Sequence, residues 1–210
     1  MNLKTVFAPL LSIVLCVQAS TVVAEDGAAL YGACVACHGA QGEGNATLGA
    51  PALAGQLASY TARQLNNFKT GLRGTAEGDA RGIQMVAMAN LLNNDAKVQA
   101  VAEYLAALPR TTPSVTLAGD VEAGRTGYNS MCSDCHASDG TGNVALSSPA
   151  LVGLSDQYLF EQFQNFLSGK RGYDQADRHG RQMRMISDSV SSDAELTNLV
   201  AFIQTLSAQQ

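Results

Sequence analysis

The sequence predicts an all-α protein made of two tandem copies of one small domain. Three observations carry this expectation. Sliding the chain by 98 positions lays its second half on its first without a gap. Within each half, apolar residues recur at helical spacing between capping residues and glycines. No stretch sustains the alternation that a half-buried strand requires. At 210 residues, 46% hydrophobic and 15% charged, the chain has the composition of a folded protein of one large or two small domains.

In chain order, the first element is a leader. Lys4 precedes an apolar run from Val6 to Val17, followed by small and polar residues and Val22-Val23-Ala24. This pattern reads as a secretory signal peptide over residues 1–24, cut after Ala24 and less plausibly after Ala19. The run is too short to cross a bilayer. Cys16 follows Leu15, where a lipid attachment site wants a small residue, so no lipid is expected there.

The repeat sets the next borders: a first domain over 25–108, a linker over 109–117 and a second domain over 118–210. Gly42, Gly44 and Asn45 fall on Gly140, Gly142 and Asn143, and Pro51-Ala52-Leu53 falls on Pro149-Ala150-Leu151. Tyr60, Gln64, Phe68, Gly71 and Arg73 fall on Tyr158, Gln162, Phe166, Gly169 and Arg171; Gln84-Met85 falls on Gln182-Met183. The linker holds Pro109 and Pro113 among hydroxyl residues, which favour extended chain over helix.

Each copy should hold three helices. The first leads into a cysteine motif, with Asp120 as its N-cap in the second copy. Gly39 to Gly55 is loop. A middle helix presents Tyr60, Gln64, Leu65 and Phe68 on one face and ends at Gly71. A final helix runs from about Asp95 to Leu108; its counterpart carries Leu196, Leu199, Ile203 and Leu206 and opens with a capping box from Ser192 to Glu195.

The chemistry lies in Cys34-Val35-Ala36-Cys37-His38 and Cys132-Ser133-Asp134-Cys135-His136. The pattern C-x-x-C-H marks covalent attachment of a c-type haem. Two thiols three positions apart on a helical turn lie on one side of the backbone. Each can form a thioether to one porphyrin, and the adjacent His then becomes an iron ligand. The two motifs use every cysteine beyond residue 24. In an oxidising compartment, four cysteines would otherwise suggest disulfides, but neither a disulfide nor half a zinc site explains a His after each pair. Two covalently bound haem c groups are therefore expected, each supplying apolar core to a small domain.

A second axial ligand would close each iron, and Met would favour Fe(II) and electron transfer. Met85 and Met88 are available in the first copy, Met183 and Met185 in the second. Only Met85 and Met183 are matched by the repeat; Met88 aligns with Ile186 and Met185 with Ala87. These are read as loop methionines after Gly-x-Gln. The iron ligands expected are thus His38 with Met85 and His136 with Met183. His179, opposite Arg81 in the repeat, reads as a surface residue. Arg73 and Arg171 have two readings, as partners of haem propionates or as solvated surface charges.

Without residues 1–24, the chain has 12 basic and 18 acidic residues, a net of −6. That balance argues against nucleic acid and against an anionic membrane surface as main partner. The excess negative charge lies almost wholly in the second half, with 11 acids and 6 bases from Asp120 onward.

Two haem motifs after a signal peptide, each followed by Pro-x-Leu-x-Gly, Tyr-x-x-x-Gln-(Leu/Phe)-x-x-Phe-x-x-Gly-x-Arg and a Met before the final helix, resemble the cytochrome c4 family. The resemblance spans everything after residue 24 and implies two tandem class I cytochrome c-like domains, each wrapped around one covalently bound haem. It implies that the carbonyls of Pro51 and Pro149 accept from the motif histidines, and that aromatic residues of the middle helix pack on the haem. The second copy departs from the family pattern around Met183, with Arg181, Arg184 and Met185. The function implied is a periplasmic one-electron carrier, not an enzyme, serving a membrane respiratory complex or terminal oxidase. The same unit resembles the electron-accepting subunit of flavocytochrome sulfide dehydrogenases, which would add a flavoprotein partner. A catalytic dihaem enzyme would need an open iron or an unusual distal Cys or His. No cysteine is spare for that role, and both copies offer Met.

Overall fold

The computed structural model describes Met1 and residues 25–209; the signal peptide and its cut after Ala24 lie outside the described residues. The first unit runs α1 (Gly27–Tyr31), α2 (Val35–His38), α3 (Ala58–Lys69), α4 (Ala80–Ala89) and α5 (Asp95–Ala107). The second repeats it as α6 (Val121–Met131), α7 (Ser133–His136), α8 (Asp156–Leu167), α9 (Arg178–Ser187) and α10 (Asp193–Ser207). Among the described residues there is no strand, only the isolated bridges Asn45–Ala50 and Asn143–Ser148.

Side-chain caps set most of the helix starts. Asp26, Asp79, Asn94, Asp120, Ser155, Asp177 and Ser192 each accept from a backbone N–H of the first turn. The capping box of α10 forms in shifted form. Ser192 Oγ takes the Glu195 N–H, while Glu195 reaches back to Ser191 N and Oγ instead of the Ser192 amide.

Each core forms where the first long-range helix pair crosses. In the first unit Tyr31 of α1 is buried against Val98, Val101 and Leu105 of α5; in the second Tyr128 of α6 meets Leu199, Phe202 and Ile203 of α10. Gly27 and Gly124 let the helices touch backbone to backbone. A Cβ on Gly27 would lie 2.8 Å from the Ala100 carbonyl carbon, and one on Gly124 would lie 2.6 Å from that of Asn198. The tyrosines also hold the haem motifs. Tyr31 donates to Gly39 O at 2.7 Å and Tyr128 to Ala137 O at 2.6 Å, each at the residue after the motif His.

The structure corrects the reading of the methionine segments. They are not loops: Met85 lies in α4 and Met183 in α9, both ten-residue helices. Gly82 and Gly180 in their first turns made helix look unlikely by propensity. A Cβ on Gly82 would lie 2.5 Å from the carboxyl carbon of its cap Asp79 and 2.6 Å from Gly74 Cα, and one on Gly180 would lie 2.7 Å from the carboxyl carbon of its cap Asp177.

The two units join through a pseudo-symmetric contact. Arg73 donates to Gln64 of its own unit at 2.7 Å and to Gln162 of the other at 3.0 Å. Arg171 mirrors it, donating to Gln162 at 2.9 Å and to Gln64 at 3.3 Å. Thr75 and its repeat counterpart Tyr173 bond to each other at 2.7 Å. Gln56 closes the contact with a two-way bond to the Ala150 backbone, at 3.0 and 2.9 Å.

Candidate functional site

Each motif His ends a four-residue helix, and its orientation comes from the loop that follows. His38 Nδ1 donates to Pro51 O and His136 Nδ1 to Pro149 O, both at 2.9 Å. A carbonyl oxygen can only accept, so Nδ1 carries the proton and the Nε2 lone pair is left for a metal. Burial lowers the proton affinity of both rings, with the proline carbonyl acting against it. The rings are therefore neutral, as ligation requires.

The loop has the shape needed to bring that carbonyl back. Gly44 donates to His38 O at 2.8 Å and Gly142 to His136 O at 2.9 Å, pinning the loop to the motif. At φ +83°, Gly44 lies so close to the returning chain that a Cβ would sit 2.8 Å from the Pro51 carbonyl carbon. Only glycine fits there.

The four motif thiols are not joined in disulfides. Burial pushes the Cys34 thiol up, helped by Cys37, and holds Cys132 at about 11.

The methionines separate by helix face. Met85 shares the stripe of buried Gly82 and Ala89, and Met183 that of buried Gly180 and Ser187; both sulfur residues are half-buried. Met185 points the other way and is 70% exposed. Met88 is half-buried and lacks a methionine counterpart. His179 is half-buried beside Arg63 and Arg178, and burial followed by those charges lowers its pKa.

Arg73 and Arg171 are not solvated surface charges. Arg171 is 7% exposed, and the two guanidinium groups stack on Phe68 and Phe166 at 4.5 and 4.3 Å. Neither forms an ion pair among the described residues. Burial raises the Tyr60 phenol, yet Arg171 and Arg73 together bring it below its usual value. Such a buried positive cluster, hydrogen-bonded to amides and phenols, stacked on phenyl rings and with Asp79 acting on Arg73 without an ion pair, suits an anionic group. The buried donors Arg63 Nε and Asn67 Nδ2 likewise have no hydrogen-bond partner. Haem, with its two carboxylates, fits these residues. Tyr60 therefore belongs to this junction, with Arg63 over its ring at 5.3 Å.

Sequence reasoning missed the roles of Gln64 and Gln162, which it placed on a core face. The available signal was that both copies place an Arg nine residues after the Gln, a polar pair that closes within each unit at 2.7 and 2.9 Å and is then shared with the other.

Comparison with known proteins agrees with the site. A family profile described as cytochrome c matches residues 24–109 and 121–207. Cytochrome c4 of Azotobacter vinelandii is 32% identical over 198 residues, covering 87% of this chain and 90% of that protein. A thiosulfate dehydrogenase electron acceptor of Stutzerimonas stutzeri is 31% identical over 208 residues, covering 89% and 91%. The crystal structure of reduced recombinant cytochrome c4 from Pseudomonas stutzeri superimposes with a TM-score of 0.68 at 28% identity, covering 85% of this chain and 95% of that one. Among the described residues no helix is long and apolar enough to cross a membrane. With two cytochrome c domains in tandem and two covalently bound haem c groups, the chain belongs to the cytochrome c4 family, whose members carry electrons and are not enzymes.

Proposed function

We propose that the exported chain is a periplasmic one-electron carrier that links a donor dehydrogenase to a terminal oxidase or another membrane respiratory complex. The observation that carries this reading is the duplicated proton lock, His38 to Pro51 and His136 to Pro149. It prepares the same nitrogen for iron in both domains, 25–108 and 118–210. Cys34 and Cys37 would hold one haem and Cys132 and Cys135 the other. His38 with Met85 and His136 with Met183 would fill the axial positions. The bound groups would supply reversible Fe(II)/Fe(III) chemistry. The protein's part is to fix the imidazoles, exclude water with the α1–α5 and α6–α10 cores, and offer Arg73 and Arg171 to buried carboxylates. Two thioether-capped irons leave no open position for a substrate, which favours carrier over catalyst.

A second reading has one observation in its favour, the likeness to a thiosulfate dehydrogenase electron acceptor. Here the chain would be the electron-accepting partner of a periplasmic oxidoreductase, which need not be a flavoprotein.

The intact mass of the exported protein tests the first steps. It should correspond to a chain beginning at Glu25 with two haems attached. A mass with one haem or none, or an intact leader, would overturn attachment or export. Capture of partners from native periplasm, followed by flavin and thiosulfate-oxidation assays, separates the two readings.

A further inference from the structure

The two methionine helices share a scaffold but not a surface. Along α9 stand Arg178, Arg181 and Arg184, all exposed; Arg178 and Arg181 turn away from buried Gly180 and Ser187, while Arg184, four residues after Gly180, borders that stripe. The repeat places Ala80, Ile83 and Val86 at the same three positions of α4. Duplication therefore left one domain with an uncharged outer stripe and gave the other three positive charges. The only basic residue of α4, Arg81, is already paired with Glu161.

No side-chain hydrogen bond among the described residues holds Arg178 or Arg181, and Arg184 only lies alongside Gly169, where a Cβ would come within 3.3 Å of its guanidinium. Among the described residues none of them forms an ion pair. Like charges three residues apart on a helix repel one another. Only Arg184, in the last turn, gains from the helix dipole. The nearest acids do not neutralise the row: Asp177 is buried and committed to capping Gly180, and Asp188 lies beyond the last turn, with no ion pair. Beside the charges, Met185 and Ile186 are 70% and 41% exposed, giving a small apolar centre with a positive rim. That is the composition of a protein-docking patch.

The setting selects the partner. Elsewhere this half of the chain is acidic, with 11 acids against the 3 bases Arg125, Lys170 and Arg171. A flat anionic membrane would meet that acidic surface as well as the arginine row and be repelled. A protein presenting a local acidic patch would meet only the row. We infer that the outer face of α9, bearing Arg178, Arg181 and Arg184 beside Met185, docks an acidic protein surface, and that the equivalent face of α4 does not. The inference rests on the carrier reading for its purpose but not for its test.

The test uses ¹⁵N-labelled holoprotein titrated with an oligoglutamate peptide at low salt. Amide shifts should cluster on α9 and vanish near 0.15 M salt, where exposed charges are screened over about 8 Å. The triple variant Arg178→Gln/Arg181→Gln/Arg184→Gln should weaken the affinity about tenfold with both haem spectra unchanged. Shifts on α4 or spread over the surface, or an affinity untouched by the triple variant, would overturn the inference. So would tight binding to phosphatidylglycerol vesicles with no response to the peptide. If α9 binds the peptide but the haem spectra show an open iron, the carrier reading fails and the docking face stands.

Discussion

Gly124→Ala should loosen the second domain at the crossing that aims its haem motif. The added Cβ would overlap the Asn198 carbonyl oxygen, lie 2.6 Å from that carbonyl carbon and 3.0 Å from Phe202 Cβ. Carbon atoms sit comfortably at about 3.5–4.0 Å, so α10 must retreat by about 1 Å. The obstacle is backbone and cannot rotate away. Overpacking of this kind costs about 1–3 kcal/mol, and the better helix propensity of alanine returns about 1 kcal/mol. Because the overlap is with backbone, the cost lies in the upper part of that range. The net loss should be about 1–2 kcal/mol, or a fall in Tm of about 4–16 °C for a domain of this size. Gly127→Ala is the matched control on the same helix. Its Cβ would meet only side-chain ends, Leu199 Cδ2 at 2.9 Å and Met131 Cε at 3.6 Å. Leu199 can shift, so propensity decides and stability should hold or rise by up to about 1 kcal/mol. Thermal unfolding of the two holoproteins, followed by circular dichroism, checks both. If Gly124→Ala matches the parent, or the control falls as far, helix contact is not what these glycines provide.

Two further perturbations follow from single residues. Asp156 is 1% exposed and accepts from the amides of Thr116, Leu117 and Gln157, which fastens the linker to α8. Burial pushes its pKa up, but those amides and the Thr116 hydroxyl outweigh it, so the folded value lies below the ordinary one. Its stabilisation is thus complete above the unfolded value near 3.9 and is lost as pH falls through the lower folded value. Asp156→Asn should cost about 1–3 kcal/mol at neutral pH, with the gap closing in urea titrations below about pH 4. Ala137, at φ 65° and ψ 156°, occupies a region that suits glycine, and its repeat counterpart is Gly39 at φ 82°. Ala137→Gly should relieve about 1–3 kcal/mol of strain, offset in part by unfolded-chain entropy, and raise the midpoint of urea unfolding.

How much of this was legible in the sequence depended on the range of the interaction. The motif cysteines and histidines, the 98-residue repeat and the final helices are written locally, in spacing and caps. The Pro51 and Pro149 carbonyl contacts were expected only through family resemblance, since nothing local says where a loop returns. Helices α4 and α9 were missed because Gly82 and Gly180 lower helix propensity. Their reason, the packing of Asp79 and Asp177 back over them as helix caps, is a geometry that propensity does not weigh. Arg73 and Arg171 show the same limit. Each copy shows the Gln–Arg spacing, but that Gln162 and Gln64 also arrive from the other copy to share these guanidinium groups is not written in either domain alone.

The most direct test of the proposed ligand set is the weak far-red absorption band of ferric iron bound to a thioether sulfur. Met85→Ala should remove about half of it and Met183→Ala the other half, each substitution also lowering the potential of its own haem. Met88→Ala and Met185→Ala should leave the band nearly unchanged, the latter because its side chain faces away from the buried stripe. A band that disappears with Met185 instead of Met183, or a parent protein with one high-spin iron that binds cyanide rapidly, would contradict the account of a two-haem carrier with both irons closed.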